Sequence, residues 1–343
     1  LKAIQVVTPG KIEIIEKDMP RINRGDEVLI QVRLVGICGS DMHIYHGTSP
    51  VATYPRVIGH EMVGEIVEIG SSVERLAVGD KVVMEPIQWC GTCYACKSGR
   101  KNVCTQLEVY GVHKDGAYQE YIVLPEKIVH KVDSRLDWHE AVLVEPFTIG
   151  AQANWRGDVR AGDIVFIMGA GPIGLCALQV AKIKGAVCMI SDLSDDKLDY
   201  ARSLGADYVL NPLKDNINLE IERITDGVGP NVTIDAVCTV KTFEQAVEIT
   251  SVAGRVVVLG FSDAPSQIAQ LHITKKELTV VGSRLQSDKF AEVIEWFNSG
   301  NMKVDSFVTH RFALEDIHQA IKLIETSPNE VRKVVLEVGG MQK

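Results

Sequence analysis

Short alternating runs of apolar and polar residues, broken by glycine and proline, fill the first third of the chain. Residues 27–34, 64–69, 79–84 and 118–124 each alternate and are rich in β-branched side chains, which predicts half-buried strands. Pro9-Gly10, Gly25-Asp26 and Gly79-Asp80 supply turns between such runs. From Lys2 to about Val132 the pattern is that of an all-β unit, a small barrel. The period changes near Ala161. Ile164–Met168 is a short apolar strand, 173–184 a helical stretch, Val187–Ser191 the next strand and 197–203 the next helix. Strand-like 233–237, helical 243–250 and strand-like 255–259 continue the alternation. Strands and helices alternating at this length predict crossover units and a parallel sheet. Beyond Leu285 follow two amphipathic helices, around Phe290–Asn298 and 314–325, and a last strand at 332–338.

Composition narrows the classes without choosing among them. A chain of 343 residues is long enough for about two domains at roughly 150 residues each. With 46% apolar and 24% charged residues it excludes disorder, collagen-like repetition and a small disulfide scaffold. Its 36 basic and 45 acidic residues give a net charge of −9, which argues against nucleic acid or an anionic membrane surface as partner. The longest apolar runs, such as 256–259, are far short of the roughly 20 residues a membrane span needs. The first ten residues carry neither a long apolar core nor a small-residue cleavage site, so a cytoplasmic location is expected. Thiols stay reduced there, and eight cysteines then need another use.

Three constellations carry candidate chemistry. Gly169, Gly171 and Gly174, with Pro172 and Ile173 between them, form a G-x-G-x-x-G turn after a buried-type strand and at the start of a helix. Asp192 ends the next strand, 18 residues after Gly174. In that context the glycines admit a pyrophosphate at the helix N-terminus, and the carboxylate favours NAD over NADP by accepting from ribose hydroxyls and repelling a 2′-phosphate. The bland alternative is a crossover turn with no ligand. Cys90, Cys93, Cys96 and Cys104 follow C-x2-C-x2-C-x7-C, a spacing that suits a closed tetrahedral zinc of structural type. A thiol redox pair or an iron–sulfur cluster are the competing uses. A second metal site must be assembled from Cys38, His60 and a carboxylate, Glu61 or Glu145. Spacing alone fits a buried thiol and a turn histidine equally well. Cys176, Cys188 and Cys238 fall in apolar patterns and read as core.

Gly59-His60-Glu61-x2-Gly64-x5-Gly70-x2-Val73, the four-cysteine lobe and the glycine-rich turn occur in this order along the chain. Together they resemble the zinc-dependent medium-chain alcohol dehydrogenases over essentially the whole chain. The resemblance implies a mixed α/β architecture, a GroES-like β-barrel catalytic domain plus a Rossmann doubly wound parallel-sheet domain. The implied boundaries are 1–150 for the catalytic domain, with the zinc lobe at about 88–106, and 151–284 for the NAD-binding domain; 285–343 returns to the catalytic domain, leaving the active-site cleft between the two. It also implies a catalytic zinc held by Cys38, His60 and either Glu61 or Glu145, besides the structural zinc. Ser40 and His43 fall where the family places its proton relay. Their alternative is an ordinary turn. Lys197 matches a position near the adenosine ribose, or is a solvated lysine at a helix start. Arg284 is a candidate for cofactor or substrate carboxylate, as are His113 and Lys114 for the latter, or Arg284 is simply a strand-end charge.

Glu145-Pro146 and Cys38-Gly-Ser40-Asp41 look like the polyol, threonine and sugar-acid branch of the family. Residues 54–61, 110–116 and 145–150 are similar to bacterial sugar-acid oxidoreductases of the L-galactonate or L-idonate kind. The implied reaction is hydride transfer from a secondary alcohol of a sugar acid or polyol to NAD, by a homo-oligomer, dimer or tetramer. An L-threonine 3-dehydrogenase-like enzyme and a non-catalytic NAD- and zinc-binding regulatory protein are the alternatives.

Overall fold

The computed structural model describes residues 1–339. The chain forms two compact units, one of Leu1–Glu145 with the segment from Phe290 onward, the other of Pro146–Lys289.

The first unit contains two main sheets. Lys2–Thr8 lies between Lys11–Glu16 and Arg56–Val57 in a three-stranded sheet. The larger, seven-stranded sheet runs Val129–Lys131, Lys81–Met84, Glu61–Ile69, Glu27–Ile37, Lys333–Glu337, Val308–Ala313, and Tyr121–Pro125 also pairs with Glu27–Ile37. The eleven-residue strand Glu27–Ile37 organises this sheet. Its end pairs Gly36 with Glu61 on one side and with Val335 on the other. That double register brings a strand from the last tenth of the chain beside one from its first fifth. Ile4, Val6, Ile30, Val35, Ile58, Met62, Tyr118 and Leu336 pack into one core between the sheets and the helix Ile317–Thr326.

The second unit is a six-stranded parallel sheet in the order Tyr208–Leu210, Val187–Ser191, Ile164–Met168, Val232–Asp235, Arg255–Val258, Thr279–Gly282. Helices Pro172–Ile183, Asp195–Ser203, Ile217–Ile224 and Val240–Ile249 make the crossovers. This order reverses direction at Ile164–Met168, the doubly wound arrangement whose ligands bind beyond the carboxyl ends of the strands. Strand Ile164–Met168 is buried on both faces almost throughout, which is why it reads as an unbroken apolar run, whereas the equally buried Val232–Asp235 carries Thr233 and Asp235.

Several elements escaped the sequence pattern. The helix Val144–Arg156 carries Pro146 and Gly150, yet proline in a first turn lacks only a hydrogen bond that position would not make. Tyr208–Leu210, Thr279–Gly282 and Val308–Ala313 are short or partly exposed, so their periodicity is weak, while Ile217–Ile224 is amphipathic, with Ile217 and Ile221 buried, but only eight residues long. Cys238 corrects the reading of the three cysteines as core: Cys176 and Cys188 are buried, but Cys238 sits half-buried in the turn after Val232–Asp235 with φ 66°. Among the described residues no helix is long and apolar enough to cross a membrane.

Candidate metal centres and dinucleotide site

Cys38 follows the strand Glu27–Ile37 and caps the helix Gly39–His46, while His60 and Glu61 open the strand Glu61–Ile69. The Gly36–Glu61 register sets these two ends side by side. One ligand atom each of Cys38, His60 and Glu61 lies within 4.8 Å of the others. Gly36 is required for this approach, because a Cβ there would meet Glu61 Oε2 at 2.0 Å.

The surroundings are built for a cation. Asp41 is 1% exposed; its carboxylate lies 3.5 Å from His60 Nδ1 and accepts from the backbone N–H of Cys38 at 2.9 Å and of Gly59 at 3.2 Å. The buried Tyr118 hydroxyl lies 3.2 Å from Asp41 Oδ2. Burial works against charge on Asp41, but His60 and these donors outweigh it and hold the carboxyl below its usual range. Burial likewise opposes a charged His60, yet Asp41 and Cys38 hold the imidazole well above its usual value. A site that so favours a proton on His60 is one of uncompensated negative charge, and a metal ion meets the same demand by displacing that proton. A buried carboxylate against the far nitrogen of a ligating histidine is also what fixes the ring toward a metal. The donors fit zinc.

Glu61 has a second partner that no local pattern announced. Lys333 Nζ lies 2.7 Å from both carboxylate oxygens, and both side chains are about as buried as any in the protein. The same ammonium donates to the Ile37 carbonyl at 3.3 Å. Glu145 is buried, and its burial, with Glu61 and Asp41 nearby, pushes its carboxyl up to about 7 despite His60 and Lys333. It stands in the electrostatic field of the cluster, while the three atoms that converge come from Cys38, His60 and Glu61. Ser40 Oγ lies 3.4 Å from His60 Nε2. His43, exposed on the same helix, bonds instead to Thr48 through Nδ1 at 2.8 Å.

The four thiols of Cys90, Cys93, Cys96 and Cys104 converge within 4.8 Å. Backbone N–H groups of Cys96 and Thr105 pull the Cys93 thiol down to about 5, and Thr92 pulls Cys90 down to about 7. Desolvation and the neighbouring thiols push Cys96 up to about 12, so four thiolates coexist only around a cation. The lobe is also pinned by charge. Lys101, three residues before Cys104, meets the buried Glu85 at 3.0 Å and lies 4.2 Å from the Trp89 ring centre. Glu85 also bonds His130 Nε2 at 3.0 Å, and that ring stacks on Phe290 with centroids 4.7 Å apart. Burial opposes the Glu85 charge, but His130 and Lys101 hold its carboxyl below the usual value. A depressed folded pKa adds stability above the unfolded value of about 4.3 and loses it as pH falls through the folded one. Glu85→Gln is therefore expected to cost about 2 kcal/mol at pH 7 and to flatten the acid side of the stability profile. A thermal-melting series from pH 7 to 3 reads both effects, and an unchanged acid limb would remove Glu85 from it.

In the second unit the turn after Ile164–Met168 passes through Gly169 and Gly171 into the helix Pro172–Ile183, with Gly171 as its cap and Pro172 in the first turn. Gly174 is needed for close packing, since a Cβ there would lie 1.8 Å from the Gly169 carbonyl oxygen. Ile173 lies in the first turn of that helix. Asp192, just past Val187–Ser191, accepts from Ala170 N at 2.9 Å and Ser194 N at 3.0 Å, so it braces the glycine turn from the neighbouring strand end. Lys197 is half-buried on the helix Asp195–Ser203. Arg284, past the strand Thr279–Gly282, places its guanidinium 5.2 Å from the centre of the exposed Phe261 ring. Of the other candidate cations, Lys114 is held by Gln88 at 2.7 Å and Glu108 at 2.8 Å. His113 Nδ1 accepts from Val109 N at 3.0 Å.

Sequence reasoning missed Asp41, Tyr118 and Lys333 as parts of the first centre, and Glu85 and Lys101 as anchors of the second. Asp41 had a readable signal, an acidic residue three positions after a helix-capping cysteine. Lys333 had none.

Residues 24–134 match the alcohol dehydrogenase GroES-like domain family, and residues 172–299 the zinc-binding dehydrogenase family. The chain is 40% identical over 341 residues to the starvation-sensing protein RspB of Escherichia coli K12, covering 98% of this chain and 99% of that one. The crystal structure of RspB from E. coli CFT073, complexed with NADH, superposes with a TM-score of 0.93 at 40% identity, covering 98% of each chain. L-threonine 3-dehydrogenase of Pyrococcus furiosus is 37% identical with 88% of each chain covered. L-galactonate-5-dehydrogenase of E. coli K12 is 33% identical with 94% of each covered.

Proposed function

Because the chain belongs to the zinc-containing medium-chain alcohol dehydrogenase family, we propose that it oxidises a secondary alcohol of a sugar acid or polyol with NAD as hydride acceptor. The observation that carries the reading is the convergence of Cys38, His60 and Glu61, backed by Asp41 and Lys333. Zinc bound there supplies a Lewis acid, which lowers the pKa of an oxygen acid such as water from 15.7 to about 7. The chain's own groups do the rest. Asp41 fixes the His60 ring, Lys333 balances the buried Glu61, and Ser40 and His43 lead the hydroxyl proton outward. An imidazole can both accept and release a proton, which suits that exchange. Glu145, at about 7, is a further group able to change charge beside the centre.

In the second unit, Gly169, Gly171, Pro172, Ile173 and Gly174 would receive the NAD pyrophosphate and Asp192 the adenosine ribose, with Lys197 and Arg284 at its margins. RspB, at 40% identity, was crystallised with NADH, which supports this choice. Asp192→Ala is expected to raise the NADP-to-NAD ratio of kcat/KM by ~10–100-fold, by removing the carboxylate that repels a 2′-phosphate. An unchanged ratio would take Asp192 out of cofactor discrimination.

The sugar-acid reading is supported by similarity to L-galactonate-5-dehydrogenase. Similarity to L-threonine 3-dehydrogenase supports a second reading, oxidation of an amino alcohol. NADH formation by the zinc-loaded protein, with aldonates, polyols and L-threonine offered side by side, decides between them. Turnover on aldonates or polyols is the expected result, and turnover on L-threonine alone would replace it. A homo-oligomer, dimer or tetramer, belongs to the same reading. The strand Thr279–Gly282 ends its sheet with Val280 37% exposed, an edge open to pairing, and sedimentation velocity tests it.

A further inference from the structure

The helix Gly39–His46 ends in a left-handed cap, Gly47 at φ 74° and ψ 16°. Gly47 N donates to the Ile44 carbonyl at 3.1 Å, and Thr48 N and Ser49 N both donate to the His43 carbonyl, at 2.9 and 3.2 Å. The turn has little room to move. Gly10 N donates to the Tyr45 carbonyl at 2.7 Å, and a Cβ on Gly47 would meet the Pro9 ring at 2.6 Å. Thr48 is thereby fastened at its backbone to the same residue that its side chain touches. Its hydroxyl lies 2.8 Å from His43 Nδ1 and 3.4 Å from the His43 carbonyl oxygen.

We propose that Thr48 is a positioning residue for the proton relay, holding His43 in the Nδ1-protonated tautomer so that Nε2 is its basic nitrogen. The inference rests on the reading of His43 as the relay imidazole. The Thr48 hydroxyl has one proton and two neighbours, and in the proposed arrangement that proton goes to the carbonyl oxygen, which can only accept. The hydroxyl oxygen then accepts from Nδ1–H. Which ring nitrogen carries the proton is set by the bond the other nitrogen makes or lacks, and here that bond is fixed by the cap. Nε2 takes up the proton leaving the substrate hydroxyl, the ring becomes an imidazolium with both nitrogens protonated, and Nε2 then releases that proton to water. Nδ1–H stays with Thr48 throughout. Both side chains are exposed, as the outer end of a path to solvent must be.

The test pairs a spectroscopic signature with kinetics. In the wild type, the nitrogen-15 shifts of the neutral His43 ring, assigned by loss of the signal in His43→Ala, should report a protonated Nδ1 and a bare Nε2. Thr48→Val should abolish that single tautomer and lower kcat by up to about 100-fold, the scale of a misaligned reacting group, with KM nearly unchanged. Thr48→Ser keeps the hydroxyl and should restore both. A wild-type ring protonated on Nε2, or a Thr48→Val ring unchanged in tautomer, overturns the proposal. Full activity in His43→Ala would instead overturn the relay reading beneath it, while the nitrogen shifts still judge the Thr48 contact.

Discussion

Cys38→Ser is expected to lower kcat by about 10⁴-fold or more while leaving dinucleotide affinity close to that of the parent. Loss of the metal would remove the Lewis acid that favours the ionised hydroxyl, an effect that for bound water lowers the pKa from 15.7 to about 7, and several orders of magnitude in ionised substrate would go with it. The substitution is well placed because Cys38 has two jobs. It offers Sγ to the metal centre and it caps the helix Gly39–His46. Serine is a strong helix cap but a poor zinc ligand, so the fold should survive the change that the chemistry does not. Metal analysis should show the four-cysteine site still loaded and the Cys38 site empty. NADH titration by fluorescence should be unaltered, since the glycine turn and Asp192 belong to the other unit. A Cys38→Ser protein that keeps a near-native rate would remove Cys38 from the reaction.

Lys333→Met should have the largest effect on stability of any single change at the first centre. The pair Lys333–Glu61 is 3% and 2% exposed, and methionine fills the space of the lysine stem while leaving Glu61 buried with its charge unbalanced. Breaking a buried ion pair from one side costs about 3–5 kcal/mol. In the metal-free protein that is a fall of about 10 °C in melting temperature. With zinc bound the fall should be much smaller, because the cation then faces the same carboxylate. Calorimetry of the metal-free and zinc-loaded variant measures the difference directly. Equal losses in the two states would mean that Lys333 acts only as a packing residue.

What the sequence could show, and what it could not, divides along the distance between partners. Ile164–Met168 and Val187–Ser191 were legible because burial on most sides leaves a run of apolar residues and nothing else. The four cysteines were legible because all of them fall within fifteen positions, 90 to 104. The Cys38, His60 and Glu61 centre was legible only through its family resemblance, since its closeness depends on the register of Glu27–Ile37 against Glu61–Ile69. Asp41 was in view within a quoted motif and still had no role, because a buried carboxylate and a capping one look alike in sequence. Helix Val144–Arg156 was hidden by its own Pro146. Lys114 was read as a candidate for substrate, and the structure gives it Gln88 and Glu108 as partners, which local pattern does not reveal.

The placement of Lys333–Glu337 beside Glu27–Ile37 has a consequence in time. The nucleotide-binding unit is one continuous stretch, Pro146–Lys289, and can fold as soon as it leaves the ribosome. The other unit is made of two stretches, one before the nucleotide-binding unit in sequence and one after it. Glu61 emerges 272 residues before the lysine that balances it, which at ~5–20 residues per second is a wait of roughly 15–50 s. During that interval the strand Glu27–Ile37 lacks its Lys333–Glu337 neighbour, and Glu61 is a carboxylate without its ammonium. A cation arriving early would find that carboxylate unopposed. The nascent chain is thus open to metal before Lys333 is made, and the strand Lys333–Glu337 joins the sheet at a centre that a cation has already had time to reach.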